Sequence, residues 1–113
     1  MDKDTLLKNV NQINGISGSM LVSKDGLVLA NSLPESIDPN LVSAVVSSMF
    51  TNIDVQSKRM QRGQLARFTL ETDQESISLM QVDVNGEMLL ILSQFGKDVD
   101  LNELNQALNA VKA

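Results

Sequence analysis

The segment Met88-Leu89-Leu90-Ile91-Leu92 narrows what this chain can fold into more than any other. It is the longest uninterrupted apolar run, and Asn85-Gly86 stands just before it. Asn-Gly between two strand-like runs is a strong hairpin signal, because both residues tolerate the positive φ that a tight turn needs. The run therefore reads as a strand, Glu87 to Ser93, paired with a preceding strand, Ser76 to Val84. That preceding strand sets Ile77 and Leu79 against Met80, Val82 and Val84 on its other face. A strand that is apolar on both faces belongs in the middle of a sheet covered on both sides. Helices must then lie above and below.

A second hairpin is written nearer the start. Ile16 to Ser23 and Leu27 to Asn31 flank Lys24-Asp25-Gly26. Asp-Gly predicts a type I′ turn, with positive φ at both central residues. Gly18 has no side chain to pack, which suits a place where a helix or another backbone comes close. Leu33-Pro34-Glu35-Ser36 is a loop, and Gln64 to Glu71 reads as a further strand. In that strand Ala66, Phe68 and Leu70 share one face, while Leu65, Arg67, Thr69 and Glu71 share a half-polar one, as at an edge. Thr72 to Glu75 turns the chain into the strand that follows.

Three helices complete the order. Asp4 to Asn14 carries Leu6, Val10 and Ile13 at helical spacing, with Leu7 beside them. Asp2 or Asp4 can cap it, and Asn14-Gly15 can stop it. Asp38-Pro39 opens the second helix, which runs to about Lys58. Asp100 with Glu103 forms a capping-box-like start to the third helix, whose stripe is Leu101, Leu104, Leu108 and Val111.

The stretch Ile16-x-Gly18-x-x-Leu21-Val22-x-x-Asp25-Gly26-Leu27-x-Leu29-Ala30, following a helix that ends in Ile13-Asn14-Gly15, resembles the start of the Roadblock domain, the family of dynein light chains and MglB. The α-β-β-α-β-β-β-α order is similar to that fold over the whole chain. The resemblance implies a profilin-like α+β architecture in one domain, residues 1–113. Its antiparallel sheet would be ordered 2-1-5-4-3, with the first and last helices on one face and the second on the other.

Composition removes several functions. Three Phe are the only aromatics, and the formal charge is −5. Base stacking needs aromatic platforms and phosphate binding needs cations, so both observations argue against a nucleic-acid partner. Without Cys or His there is no thiolate chemistry, no Cys- or His-based zinc site and no imidazole base. No Walker loop, dinucleotide fingerprint or nucleophile elbow occurs. No cofactor and no metal are expected: Asp73 with Glu75 and Asp98 with Asp100 could bind a divalent cation only weakly, and read as solvated turns and helix caps. The longest apolar run is far short of the ~20 residues that span a bilayer, so a cytoplasmic protein is expected. The six Met read mainly as filler for an aliphatic core.

What remains is a binding module. The resemblance implies a non-enzymatic dimeric regulator or scaffold for a Ras-like small GTPase, MglB-like and able in some relatives to stimulate GTP hydrolysis. Its partners would be a second copy or another Roadblock protein, and the GTPase. A small-molecule-sensing profilin-like or longin-type domain would need a cavity with convergent polar groups. A dynein-type motor light chain is the other family role. A profilin-like actin binder would need an aromatic surface for Pro-rich peptides.

Two surfaces carry the expected interface. On the second helix Leu41, Val42, Val45, Val46, Met49, Phe50 and Ile53 cover about half the circumference at ~100° per residue, wider than packing on one sheet requires. Which half faces the sheet is not readable from the sequence, and Val42, Val46 and Phe50 are taken as partly shared with a partner. The resemblance further implies that the third strand pairs with its own copy, and a two-fold axis near Thr69 would set Arg67 opposite Glu71. Lys58, Arg59, Arg62 and Arg67, with no acid between Asp54 and Glu71, form a candidate docking patch for an acidic partner.

Overall fold

The structure is a computed structural model that describes residues 2–113; Met1 lies outside the described residues. Its elements are α1 (Lys3–Asn11), β1 (Ile16–Val22), β2 (Val28–Asn31), α2 (Pro39–Arg59), β3 (Arg67–Leu70), β4 (Ser76–Val84), β5 (Glu87–Phe95) and α3 (Leu101–Asn109). The five strands form one antiparallel sheet ordered β2-β1-β5-β4-β3. The apolar β5 is the central strand, as its two-faced run requires.

Alternation along the strands divides the core into two layers. Leu21, Met80, Val82, Leu89 and Ile91 pack against Leu6, Leu7 and Val10 of α1 and against Leu104 and Leu108 of α3. Met20, Val22, Leu79, Leu90 and Leu92 pack against Val46 and Phe50 of α2. Each such fully buried aliphatic side chain is worth about 1.5–3 kcal/mol relative to exposure, which is why the helices stay on their faces.

The helix starts follow their caps. The Asp2 carboxylate accepts the Thr5 amide at 2.7 Å, Asp38 accepts the amides of Asn40 and Leu41, and Asp100 accepts that of Glu103. α1 ends at Asn11, three residues before the predicted Asn14, and Ile13 turns down into the core instead. The predicted stripe of α3 also needs correction. Leu104 and Leu108 are buried, but Leu101, the first residue of the helix, is 53% exposed. Among the described methionines only Met20 and Met80 fill the core, and Met60 and Met88 lie at the surface.

The two hairpins close differently. Asn85 and Gly86 have φ of 55° and 86°, as a type I′ turn demands. In the β1–β2 turn only Gly26 has positive φ, at 95°. The Gly26 amide donates to Ser23 O at 3.1 Å, and the Ser23 amide donates to Leu27 O at 2.9 Å. This is a three-residue loop with glycine at its left-handed position, not the predicted type I′ turn. Gly26 also meets α2, because Ser43 Oγ donates to its carbonyl and a Cβ there would sit 3.1 Å from Ser47 Oγ.

Gly18 lies where the β1–β5 register shifts, between Ile16 and Gly18. The backbone close to it is the loop after β2, not a helix. A Cβ would lie 3.1 Å from Leu33 Cα, from Pro34 Cδ and from Ser32 O. Gly18→Val is expected to lower stability by about 1–3 kcal/mol through overpacking, read as a fall in the urea midpoint at unchanged slope. An unaltered midpoint would mean that the loop moves aside freely.

Candidate protein-interaction surface

α2 shows two unlike sides. Ser43, Val46, Ser47 and Phe50, spaced at i, i+3, i+4 and i+7, are buried beneath it. Small serines let the β1–β2 turn approach, and Phe50 meets Phe68 of β3 with ring centroids 6.2 Å apart. Val46 and Phe50 are only 2% and 4% exposed, so both belong to the chain's own core and are not the partly shared positions expected from sequence. The outward side is also apolar: Leu41, Val45 and Ile53 are 63%, 47% and 37% exposed, and Val42 and Met49 are half-buried.

This outward stripe does not end at the helix. A groove of ≈ 350 Å³ runs from Leu41, Val45 and Met49 to Leu70 of β3 and Ile77 of β4. Leu70 is 41% exposed and sits on the sheet's edge strand. An exposed apolar strip of this extent, continuous from a helix to an unpaired strand edge, is the usual mark of a protein interface.

The other predicted contact residues are distributed as follows. Arg67 and Thr69 pair in register with Met80 and Ser78, so they point to the face that carries α1 and α3. Arg67 Nη1 donates to Asn105 Oδ1 of α3 at 2.7 Å. Glu71 lies just past the end of β3 and is exposed. The predicted basic patch is thereby divided: Arg67 is on one face of the sheet, while Lys58, Arg59 and Arg62 gather at the end of α2, which covers the other.

Asp54, which sequence reading left out of the site, organises that end. Its carboxylate accepts the Leu65 amide at 2.7 Å and pairs with Lys58 at 3.0 Å. The Leu65 amide, then Lys58, and to a lesser degree Lys24 in the β1–β2 turn hold its pKa below the ordinary carboxylate value of 3.8. The acidic residue four positions before a lysine was the legible signal. The contact with Leu65 was not legible, because it joins segments separated by the helix end. A folded pKa below the unfolded one contributes stability above about pH 4, and that contribution fades as pH falls through the lowered folded value. Asp54→Asn should therefore be less stable than wild type at pH 6, with the difference fading as pH falls through the lowered folded value. Denaturant midpoints across that range test it; a constant difference would assign the effect to the amide itself.

No described helix is long and apolar enough to cross a membrane. A five-stranded antiparallel sheet with two helices on one face and one on the other defines a profilin-like fold of Roadblock type. The chain belongs to the Roadblock/LC7 domain family, whose model matches residues 2–93. It is 36% identical over 90 residues to the uncharacterized protein MJ0310 of Methanocaldococcus jannaschii, covering 80% of this chain and 77% of that one. Among solved structures it superposes on the gliding protein MglB of Thermus thermophilus with a TM-score of 0.81 at 13% identity, over 95% of this chain and 80% of that one. A Roadblock/LC7 domain from Streptomyces avermitilis gives a TM-score of 0.80 at 18% identity, over 97% and 91% of the two chains.

Proposed function

We propose that this chain is a dimeric regulator or scaffold that binds a Ras-like small GTPase. The observation that carries the reading is the exposed apolar strip from α2 to the β3 edge on a chain of the Roadblock/LC7 family. Such a strip is costly to leave in water, and a two-fold partner covers it on both copies at once. The similarity to MglB, a member of the family through which the sequence resemblance implies GTPase partners, supports the choice of partner. Catalysis in this reading stays with the GTPase, and the chain supplies surface.

The test is retention of small GTPases from the same genome, loaded with GDP or with a non-hydrolysable GTP analogue, on the immobilised dimer. GTP turnover of each is measured with and without the protein. Preferential retention of one loaded form supports the reading. Retention of neither form by protein verified as dimeric overturns it. Retention without faster turnover identifies a scaffold and not an activator.

A further inference from the structure

The start of the edge strand is peeled from the sheet. Alternation in sequence places Gln64, Leu65 and Ala66 in one strand with Phe68 and Leu70, yet β3 begins at Arg67. Two ties from α2 hold the missing part aside: Asp54 accepts the Leu65 amide, and Ser57 Oγ donates to Gly63 O at 3.1 Å. Leu65 packs in the layer beneath α2. Residues 111–113, which follow α3, lie along β4 in the place this part would take. Lys112 bridges antiparallel to Val82, the Asp83 amide donates to Val111 O at 2.8 Å, and the Ala113 amide donates to Gln81 O at 3.4 Å. Val111 packs against the layer of α1 and α3. We infer that this stretch of β4 is a seat for which two segments of the chain compete: residues 111–113 occupy it in this structure, and residues 64–66 take it when they leave.

The competition follows from register. β3 pairs Arg67 with Met80 and Leu70 with Ile77. Carried back along the chain, that register sets Ala66 against Gln81, Leu65 against Val82 and Gln64 against Asp83. Antiparallel pairs alternate between bonded and non-bonded, and the Gln81 amide already donates to Ala66 O at 3.0 Å. Ala66–Gln81 and Gln64–Asp83 are therefore the bonded pairs. A lengthened β3 would bring the Ala66 amide to Gln81 O and the Gln64 carbonyl to the Asp83 amide. Those are the two β4 groups that residues 111–113 hold, so only one segment can be seated. Each arrangement satisfies both groups, and the exchange leaves neither orphaned. Apolar side chains exchange as well. Directly opposed residues share a face, and Val82 belongs to the layer of α1 and α3. Leu65 opposite it would leave the α2 layer for the one that Val111 vacates. Asp54 and Val111 are thus opposing catches. A partner that draws off residues 111–113 lengthens the strand bordering the apolar strip, and a contact that strengthens the hold of α2 on Leu65 keeps that strand short.

The test is amide hydrogen exchange, read residue by residue on the full-length chain. Among the described residues the Gln64 and Ala66 amides donate no hydrogen bond, whereas the Asp83 amide does. Val111→Asp combined with Ala113→Pro removes the apolar anchor and the Ala113 donor. Protection at Gln64 and Ala66 is then expected to rise roughly tenfold, the worth of one net hydrogen bond, while Asp83 keeps its own by changing acceptor. Adding Ala66→Pro takes away the donor to Gln81 O and should return Gln64 and Asp83 to the exchange of open amides. If Gln64 and Ala66 stay unprotected in the double variant while β5 stays protected, the edge merely opens and the competition is refuted. Equal protection of Asp83 with and without Ala66→Pro refutes it too. Should the double variant fail to fold, shown by lost β5 protection, Asp54→Ala decides. It cuts the tie on Leu65 and touches neither segment's bonds to β4, so it must raise protection at Gln64 and lower it at Ala113. No change at those two amides overturns the proposal.

Discussion

Val46→Glu is expected to abolish cooperative folding, while Val45→Glu, one position away, leaves a folded chain. Val46 is 2% exposed and packs with Phe50, Leu90 and Leu92 between α2 and the sheet. Among the described residues that layer is wholly apolar, so the carboxylate must either ionise without a partner or bind a proton at neutral pH. An uncompensated buried charge costs about 3–5 kcal/mol, a large share of the roughly 5–15 kcal/mol by which a domain of this size is stable. At Val45 the same group projects to solvent and the cost is small. Circular dichroism and urea titration of the pair separate the cases. Equal stability of the two variants would mean that α2 rotates on the sheet.

Gly15→Ala should be the most damaging single-methyl change in the molecule, at about 2–5 kcal/mol from left-handed strain and overpacking combined. Gly15 has φ of 90°, and a Cβ would lie 2.3 Å from Val99 Cα and 2.6 Å from Val99 N. Those are backbone atoms, which cannot rotate aside. The crowding has a purpose. Gly96 N donates to Gly15 O at 3.2 Å, and Asp100 N donates to Asn14 O at 3.0 Å. Two connections, α1 to β1 and β5 to α3, are thereby laced together at one end of the sheet. Loss of those two amides' protection in hydrogen exchange, ahead of global unfolding, would accompany the fall in the melting temperature. A variant as stable as wild type would show that the two connections can separate without harm.

Gly15 also shows where sequence reading stops. Asn14-Gly15 reads in sequence as the stop of α1, but the helix ends at Asn11 and the left-handed Gly15 belongs to the connection into β1. Its neighbour across space, Val99, lies in another connection, and nothing local announces it. Strand order and layers were legible for a related reason: the alternation of β4 and the continuous run of β5 are direct records of how many faces are buried. The arc on α2 was legible as too wide, but its division was not. Val42, Val45 and Val46 look alike in sequence, and what turns Val46 inward is the pair Ser43 and Ser47, small enough to seat the β1–β2 turn. The choice of type I′ geometry at Asp25-Gly26 failed for the same contact. The turn is drawn toward α2, and a loop with one left-handed residue allows it. Grouping Arg67 with Lys58 failed because proximity in sequence says nothing about sides of a sheet.

The central place of β5 has a consequence for how the molecule comes into being. β1 finds its inner neighbour only there, with Ile16 opposite Phe95 and Val22 opposite Leu90. The two hairpins are local and close on the order of 1–10 μs, but joining them needs nearly the full length of the chain. During synthesis the β1–β2 hairpin therefore emerges before α2 and β5, and Met20 and Val22, which pack in the layer beneath α2, wait while α2, β3 and β4 are made. At roughly 5–20 residues per second that wait lasts several seconds, long against every elementary folding step. Only when β5 arrives can the two hairpins join into one sheet.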